Sequence, residues 1–155
     1  MPAQSPLNRK RRALLRATLA STVSWLLSRS VFAEWPGSAF AAKTQTDALR
    51  QLFSDTWIAP SDRIAIELPG LAENGAVVPL TVTADFPAVE SISVVSDKNP
   101  VPLIARFDFG PDATGGYIAT RIKLAESGNV TVVVRADGKL YSAQKFIEVT
   151  VGGCD

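Results

Sequence analysis

The sequence predicts an all-β protein, an antiparallel β-sandwich of about seven strands preceded by one short N-terminal helix. From Ile64 onward, short runs rich in Val, Ile and Thr are separated by Gly, Pro, Asn and Asp, which is the pattern of strands and turns. The turn signals recur roughly every ten to fifteen residues, and this spacing favours a sandwich over alternating strand and helix units. With 46% apolar residues in 155, the chain can build one packed core.

The individual elements follow from local patterns. Leu49, Leu52 and Phe53 have helical spacing within residues 46–55, and Asp47 places a negative charge near the start of that segment, so we predict one amphipathic helix there. Asp137-Gly138 separates the last two apolar runs, and both residue types tolerate the positive φ angles of a tight hairpin. The last two strands should therefore pair. The seven predicted strands are residues 63–68, 77–85, 91–96, 103–109, 116–124, 129–136 and 140–151.

Residues 1–33 have the layout of an export signal. A basic patch at residues 9–12 precedes an apolar stretch over residues 17–27 and a small-residue cleavage site at Ala33. Cleavage after Ala41 is an alternative. The apolar stretch is about a dozen residues, well short of the ~20 that a spanning helix requires, so we expect no membrane anchor.

The basic patch contains the pair Arg11 and Arg12, which resembles the twin-arginine export signal. Lys10 stands where that signal usually has Ser or Thr, so general secretion is the alternative. The predicted organisation is a twin-arginine-type signal peptide followed by a β-sandwich domain over residues 34–151 and a C-terminal arm over residues 152–155.

Composition and charge exclude several classes of function. Residues 1–33 hold six of the sixteen Lys and Arg residues and none of the fifteen acids, so the remainder is acidic, with ten basic against fifteen acidic residues. Nucleic acids and anionic membranes attract an excess of Lys and Arg, so neither is an expected partner. The chain has no histidine and one cysteine, which removes the commonest general base and metal ligand. We therefore expect no metal, no cofactor and no catalytic residue.

Chemistry is concentrated in the cysteine, Cys154. It follows two glycines, Gly152 and Gly153, and precedes Asp155. Glycines permit almost any backbone angle and have no side chain to pack, so we expect a flexible arm that carries the sulfur on the order of 10 Å beyond Val151.

An exposed thiol is at risk of oxidation in an exported protein, so its presence needs a functional reason. Only about 3% of an ordinary cysteine thiol is ionised at pH 7, enough to accept an activated sulfur species and too little for fast catalysis alone. The sequence therefore predicts that Cys154 holds a substrate covalently while other proteins perform the chemistry. A buried or accidental cysteine is the alternative.

Val151-Gly152-Gly153-Cys154 resembles the carrier terminus of the SoxY family, the sulfur-carrier subunits of bacterial thiosulfate-oxidising systems. The resemblance extends over most of the chain that follows the predicted signal. Its other segments are Trp35-Pro36, residues 72–79, residues 98–103, Arg121-Ile122-Lys123 and residues 136–143.

The resemblance implies an immunoglobulin-like fold, a periplasmic location and a heterodimer with a SoxZ-like subunit. It also implies transient contacts with three enzymes: a haem-containing enzyme that couples thiosulfate to Cys154, a hydrolase that releases sulfate, and a sulfane dehydrogenase that oxidises the remaining sulfur. The carrier itself is not expected to be an enzyme.

One position departs from the family pattern. The family tail is normally Gly-Gly-Cys-Gly-Gly, whereas Asp155 follows Cys154 here. In water, the repulsion between a negative charge beside Cys154 and an anionic adduct on it is worth under about 1 kcal/mol. The attachment of an anionic sulfur adduct to Cys154 should therefore be weakened rather than abolished. The alternatives are a noncovalent immunoglobulin-like binding module, for which Cys154 is dispensable, and a divergent paralogue that carries another sulfur species.

Overall fold

The alternating apolar pattern corresponds to real strands. The computed structural model describes residues 36–54, 56–111 and 115–150. Within them lie two helices, α1 (Gly37–Ala41) and α2 (Gln45–Phe53), and nine strands. The strands are β1 (Ile58–Pro60), β2 (Ile64–Glu67), β3 (Leu71–Ala72), β4 (Val78–Ala84), β5 (Val89–Ser96), β6 (Leu103–Asp108), β7 (Gly116–Ile122), β8 (Gly128–Ala136) and β9 (Lys139–Val149).

These strands form two sheets, as the predicted sandwich requires. The larger sheet has the order β1-β9-β8-β5-β6, with β3 pairing farther along β9, and the smaller sheet has the order β2-β4-β7. The pairs are antiparallel except that β1 and β3 run parallel to β9. The predicted all-β sandwich is confirmed.

The core lies between the two sheets. Strand residues that point to the same face alternate in sequence, and in β4 every second side chain is buried. Each large aliphatic side chain buried in this way stabilises the fold by roughly 1.5–3 kcal/mol. From β4 and β8, the main cluster contains Val78, Leu80, Val82, Ala84, Val130, Val132, Val134 and Ala136.

Strand β8 is buried on both faces. Its outward-facing Val133 packs with Phe53 of α2 and Leu140 of β9. Nearby, Ala48 of α2 joins a cluster with Val95 of β5. The helices therefore cover part of the outer face of the larger sheet, which explains why residues 130–134 of β8 are all buried instead of alternating between buried and exposed.

The β8–β9 hairpin follows the turn chemistry of its sequence. Asp137 and Gly138 have φ angles of 50° and 69°, and Ala136 pairs with Lys139 across them. Two successive positive φ angles match the right-handed twist of the flanking strands. The hairpin prediction is confirmed.

Three elements were not predicted: α1, β1 and β3. Each has five residues or fewer, too few for a helical or alternating pattern to be recognised. Proline also disfavours a strand, because it is tolerated only at sheet edges; Pro60 is accommodated because β1 is such an edge. The two strands are positioned by distant β9 and not by a local pattern.

The predicted helix is present as α2, and its first turn is capped. Thr44 Oγ1 accepts a hydrogen bond from Asp47 N (3.1 Å) and donates one to Asp47 Oδ2 (2.7 Å). In the part of the chain that the structure describes, no helix is long and apolar enough to cross a membrane.

Removal of this cap should destabilise the protein measurably. Thr44→Ala is expected to lower the free energy of unfolding by about 1 kcal/mol, because an N-terminal amide of α2 loses its acceptor. Thr46→Ala, two residues later and inside the helix, should change it by less than about 0.5 kcal/mol. Urea denaturation of both variants measures the difference. Equal stabilities would contradict a capping role for Thr44.

Candidate functional site

The candidate site begins where β9 ends. Strand β9 finishes at Val149, and Thr150 is the last residue described before the arm. The predicted attachment residue Cys154 and the arm glycines Gly152 and Gly153 lie outside the described residues. The predicted export residues, Arg11 and Arg12, also lie outside them. The structure does describe residues 148–150, at the end of β9, and the residues that contact them, which we call the base of the arm.

Backbone hydrogen bonds to β3 hold one side of this base. Glu148 N donates to Gly70 O (3.0 Å), and Thr150 N donates to Ala72 O (3.0 Å). The Thr150 hydroxyl donates to the same carbonyl at 3.4 Å. Thr150 is therefore held in the ladder after the strand has formally ended, and the two residues of β3 serve to extend that ladder.

Ser127 holds the other side. Its Oγ accepts a hydrogen bond from Val149 N (2.8 Å) and donates one to Val149 O (3.3 Å). A single side chain thus satisfies both backbone groups of the last strand residue, at a point where β8, which begins at Gly128, can no longer pair with it. Serine is suited to this because a hydroxyl is both donor and acceptor.

Gly75 packs closely against Leu124 and Val149 at the base of the arm. Its carbonyl accepts a hydrogen bond from Leu124 N (2.7 Å). A Cβ atom at this position would lie 2.3 Å from Leu124 O and 2.8 Å from Val149 Cγ1, distances that real Cβ atoms do not adopt. In the sequence, Asn74-Gly75 has only the composition of an ordinary turn, which does not indicate this packing role.

The neighbouring loops are tied together by polar side chains. Asn99 donates from Nδ2 to Lys123 O (2.8 Å) and accepts from Ala125 N at Oδ1 (2.9 Å). Asp97 Oδ1 accepts from Asn129 N (2.8 Å). Two of the segments that resemble the SoxY family, residues 72–79 and 98–103, therefore both form hydrogen bonds with residues 123–125 near the base of the arm, although their residue types indicate only turns.

The described residues do not form a metal centre. No group of three or more His, Cys, Asp or Glu side chains within them is placed to hold a metal ion. The hydrogen bonds and close packing at the base have a structural role: they fix the position and direction in which β9 leaves the sandwich.

Loss of the Ser127 hydroxyl should loosen the end of β9 locally. Ser127→Ala is expected to lower the free energy of unfolding by about 1 kcal/mol and to accelerate hydrogen exchange of the Val149 amide, which loses its acceptor. Ser61→Ala is a matched control, since its Oγ accepts a hydrogen bond from Arg63 N far from this end. NMR-detected hydrogen exchange distinguishes the two. Unchanged exchange at Val149 in Ser127→Ala would contradict the anchoring role.

Comparisons with known proteins point to one family. The family model described as "Sulfur oxidation protein SoxY" matches residues 49–154, a span that includes Cys154. A search of curated proteins gave no match.

Among solved structures, the sulfur carrier protein SoxY from Chlorobium limicola f thiosulfatophilum is 38% identical, with a TM-score of 0.62 over 68% of this chain and 96% of that one. Superoxide reductase (neelaredoxin) from Ignicoccus hospitalis is 19% identical, with a TM-score of 0.53 over 60% of this chain and 95% of that one. The second likeness concerns the fold alone.

Proposed function

Because the chain belongs to the SoxY family of sulfur oxidation proteins, we propose that it is a periplasmic carrier that holds thiosulfate-derived sulfur covalently on Cys154. The main support is that the family match extends through Cys154, five residues beyond the last residue of an anchored strand. A fixed base followed by a short arm suits a thiol that is presented to other proteins.

Loading of the carrier is an oxidation of two sulfur atoms. The Cys154 thiolate and the outer sulfur of thiosulfate form an S–S bond, giving Cys–S–S–SO₃⁻, and two electrons pass to a haem-containing enzyme. The carrier supplies the thiolate and the partner supplies the oxidant. This division agrees with the absence of histidine, the commonest general base, from the sequence.

Release of sulfate is a hydrolysis. Water attacks the terminal sulfur of the adduct, sulfate leaves with two protons released, and Cys–S–S⁻ remains on the carrier. A sulfane dehydrogenase then oxidises this remaining sulfur. In this scheme the chain is the carrier subunit of a multi-enzyme system and not itself an enzyme, and its stable partner is a SoxZ-like subunit.

Mass spectrometry tests this proposal directly. Protein isolated from cells growing on thiosulfate should carry additions equal to one sulfur atom or one thiosulfate unit, and a thiol reductant should remove them. No Lys or Arg lies within residues 146–155, so trypsin leaves Cys154 on the peptide that begins at Phe146. The additions should map to this peptide. An unmodified thiol under these growth conditions would instead favour the noncovalent binding module.

A further inference from the structure

Two cations stand close to the base of the arm. Arg121 is in the last part of β7, opposite Pro79 of β4, and Lys123 follows two residues later. The alternating residues Ile122 and Leu124 are each only 3% exposed, so Arg121 and Lys123 both face outward on the same side of the smaller sheet. Their Cα atoms are about 7 Å apart.

Both cations are available to bind an anion. The two ion pairs between described residues are Arg50–Asp47 and Arg106–Asp108, and neither involves Arg121 or Lys123. Lys123 contributes only its backbone carbonyl, to Asn99.

A shallow depression adjoins this pair on the outer face of the smaller sheet. It has a volume of about 520 Å³ and is lined by Arg121 together with Pro79, Leu80, Thr81, Ala119 and Thr120. A second depression of about 360 Å³ shares Pro79 and Thr81 with it and is lined also by Glu67 and Lys145. Lys145 shares its depression with the oppositely charged Glu67, whereas neither ion pair between described residues involves Arg121, so the net positive charge is at the Arg121 end.

The arm is long enough to reach these cations. Val149 and Leu124 both lie against Gly75, so Lys123 is one residue and Arg121 three residues, about 10 Å, from the base. Residues 151–154 span up to about 13 Å when extended. Lys139, at the far end of β9, is about 33 Å away and beyond reach.

Charge favours a position near Arg121 and Lys123 over one at the base itself. Glu73 follows Ala72, which binds Thr150, and Glu126 precedes Ser127, which binds Val149; both acids are exposed. A sulfonate on Cys154 and the carboxylate of Asp155 are both anionic, and residues 151–155 contain no cation. Repulsion from the two acids at the base and attraction by Arg121 and Lys123 therefore both favour a loaded arm that lies against the smaller sheet.

We propose that Arg121 and Lys123 form an anion site that holds the loaded arm, through its sulfonate and the Asp155 carboxylate, against the outer face of the smaller sheet. This inference builds on the proposed carrier function and gives Asp155 a role in place of a simple repulsion. Exposed ion pairs are weak and screened by salt, so the loaded arm exchanges between this site and solvent, from which partner enzymes take it.

The dynamics of a chemically loaded arm test the site. The Cys154 thiolate attacks the central S–S bond of tetrathionate, which forms Cys–S–S–SO₃⁻ and releases thiosulfate, and the mass of the product confirms loading. In ¹⁵N-labelled protein, heteronuclear NOE values of Gly152 and Gly153 should rise on loading in the wild type. They should stay low in Arg121→Gln/Lys123→Gln. Lys139→Glu, which lowers the net charge by the same two units at a site that the arm cannot reach, should behave as the wild type.

Reaction rates give a second readout that does not depend on arm order. Cys154 should react about two- to fivefold more slowly with the tetrathionate dianion in Arg121→Gln/Lys123→Gln than in the wild type, and equally fast with the neutral reagent 2,2′-dithiodipyridine. High salt should remove the difference. A loaded arm with the same NOE values in all three proteins would overturn the anion site. A failure of the carrier function would give a different result, an unmodified Cys154 in protein isolated from cells.

Discussion

Replacement of Cys154 with serine is expected to abolish sulfur loading, so that sulfate formation from thiosulfate falls to the level measured without any carrier. A hydroxyl oxygen cannot replace sulfur in the S–S bond to the cargo, and the chain has no second cysteine to substitute for it. The loss should therefore be complete rather than partial. The measurement is sulfate release by an extract that lacks its own carrier, supplemented with purified wild type or variant.

The control variant keeps the thiol and changes its neighbour. Asp155→Asn removes one charge beside Cys154, and its loading should stay within about fivefold of the wild type because one screened charge contributes little. The unfolding temperature of Cys154→Ser should equal that of the wild type, since residue 154 lies five positions after the end of the last strand and serine is close to cysteine in size. Full activity of Cys154→Ser with a normal unfolding temperature would support a noncovalent binding module.

The longer strands could be predicted because their signals are local. In β4 the alternation of buried and exposed side chains is already visible in Val78-Pro79-Leu80-Thr81-Val82, and Asp137-Gly138 specifies its own turn. β5 and β8 lack that alternation, since the helices cover their outer face, but β-branched residues and flanking turns still identified them. These elements need no knowledge of distant contacts.

The base of the arm could not be predicted in the same way. Gly75 meets Leu124, Ser127 meets Val149, and Ala72 meets Thr150, and each pair joins parts of the chain separated by more than twenty residues. Asn74-Gly75 and Asn99-Pro100 look like any other turns, because turn residues report local backbone geometry and not tertiary partners. The resemblance to the SoxY family covered both segments and was the only signal that they do more than turn.

Substitution of Gly75 by alanine is expected to lower the free energy of unfolding by about 2–3 kcal/mol, the largest loss of stability predicted for this protein. The added Cβ would lie 2.3 Å from Leu124 O, a backbone atom that cannot rotate away, and 2.8 Å from Val149 Cγ1. Relief of the clash must separate Gly75 from Leu124 and so weaken their 2.7 Å hydrogen bond. Urea denaturation measures the loss of free energy of unfolding, and faster amide exchange at Val149 and Thr150 would show that the structure is loosened at the base.

Gly70→Ala provides the matched control because it makes the same chemical change in the same region. Nothing lies within 4 Å of a Cβ built on Gly70, although its carbonyl accepts a hydrogen bond from Glu148 N. Neither glycine has a positive φ, so alanine brings no backbone strain at either position and the comparison isolates close packing. Gly70→Ala should be neutral or more stable by up to about 1 kcal/mol, since alanine restricts the unfolded chain. If Gly75→Ala were equally harmless, the base would have room to shift, and the direction in which β9 delivers the arm would not be fixed by this contact.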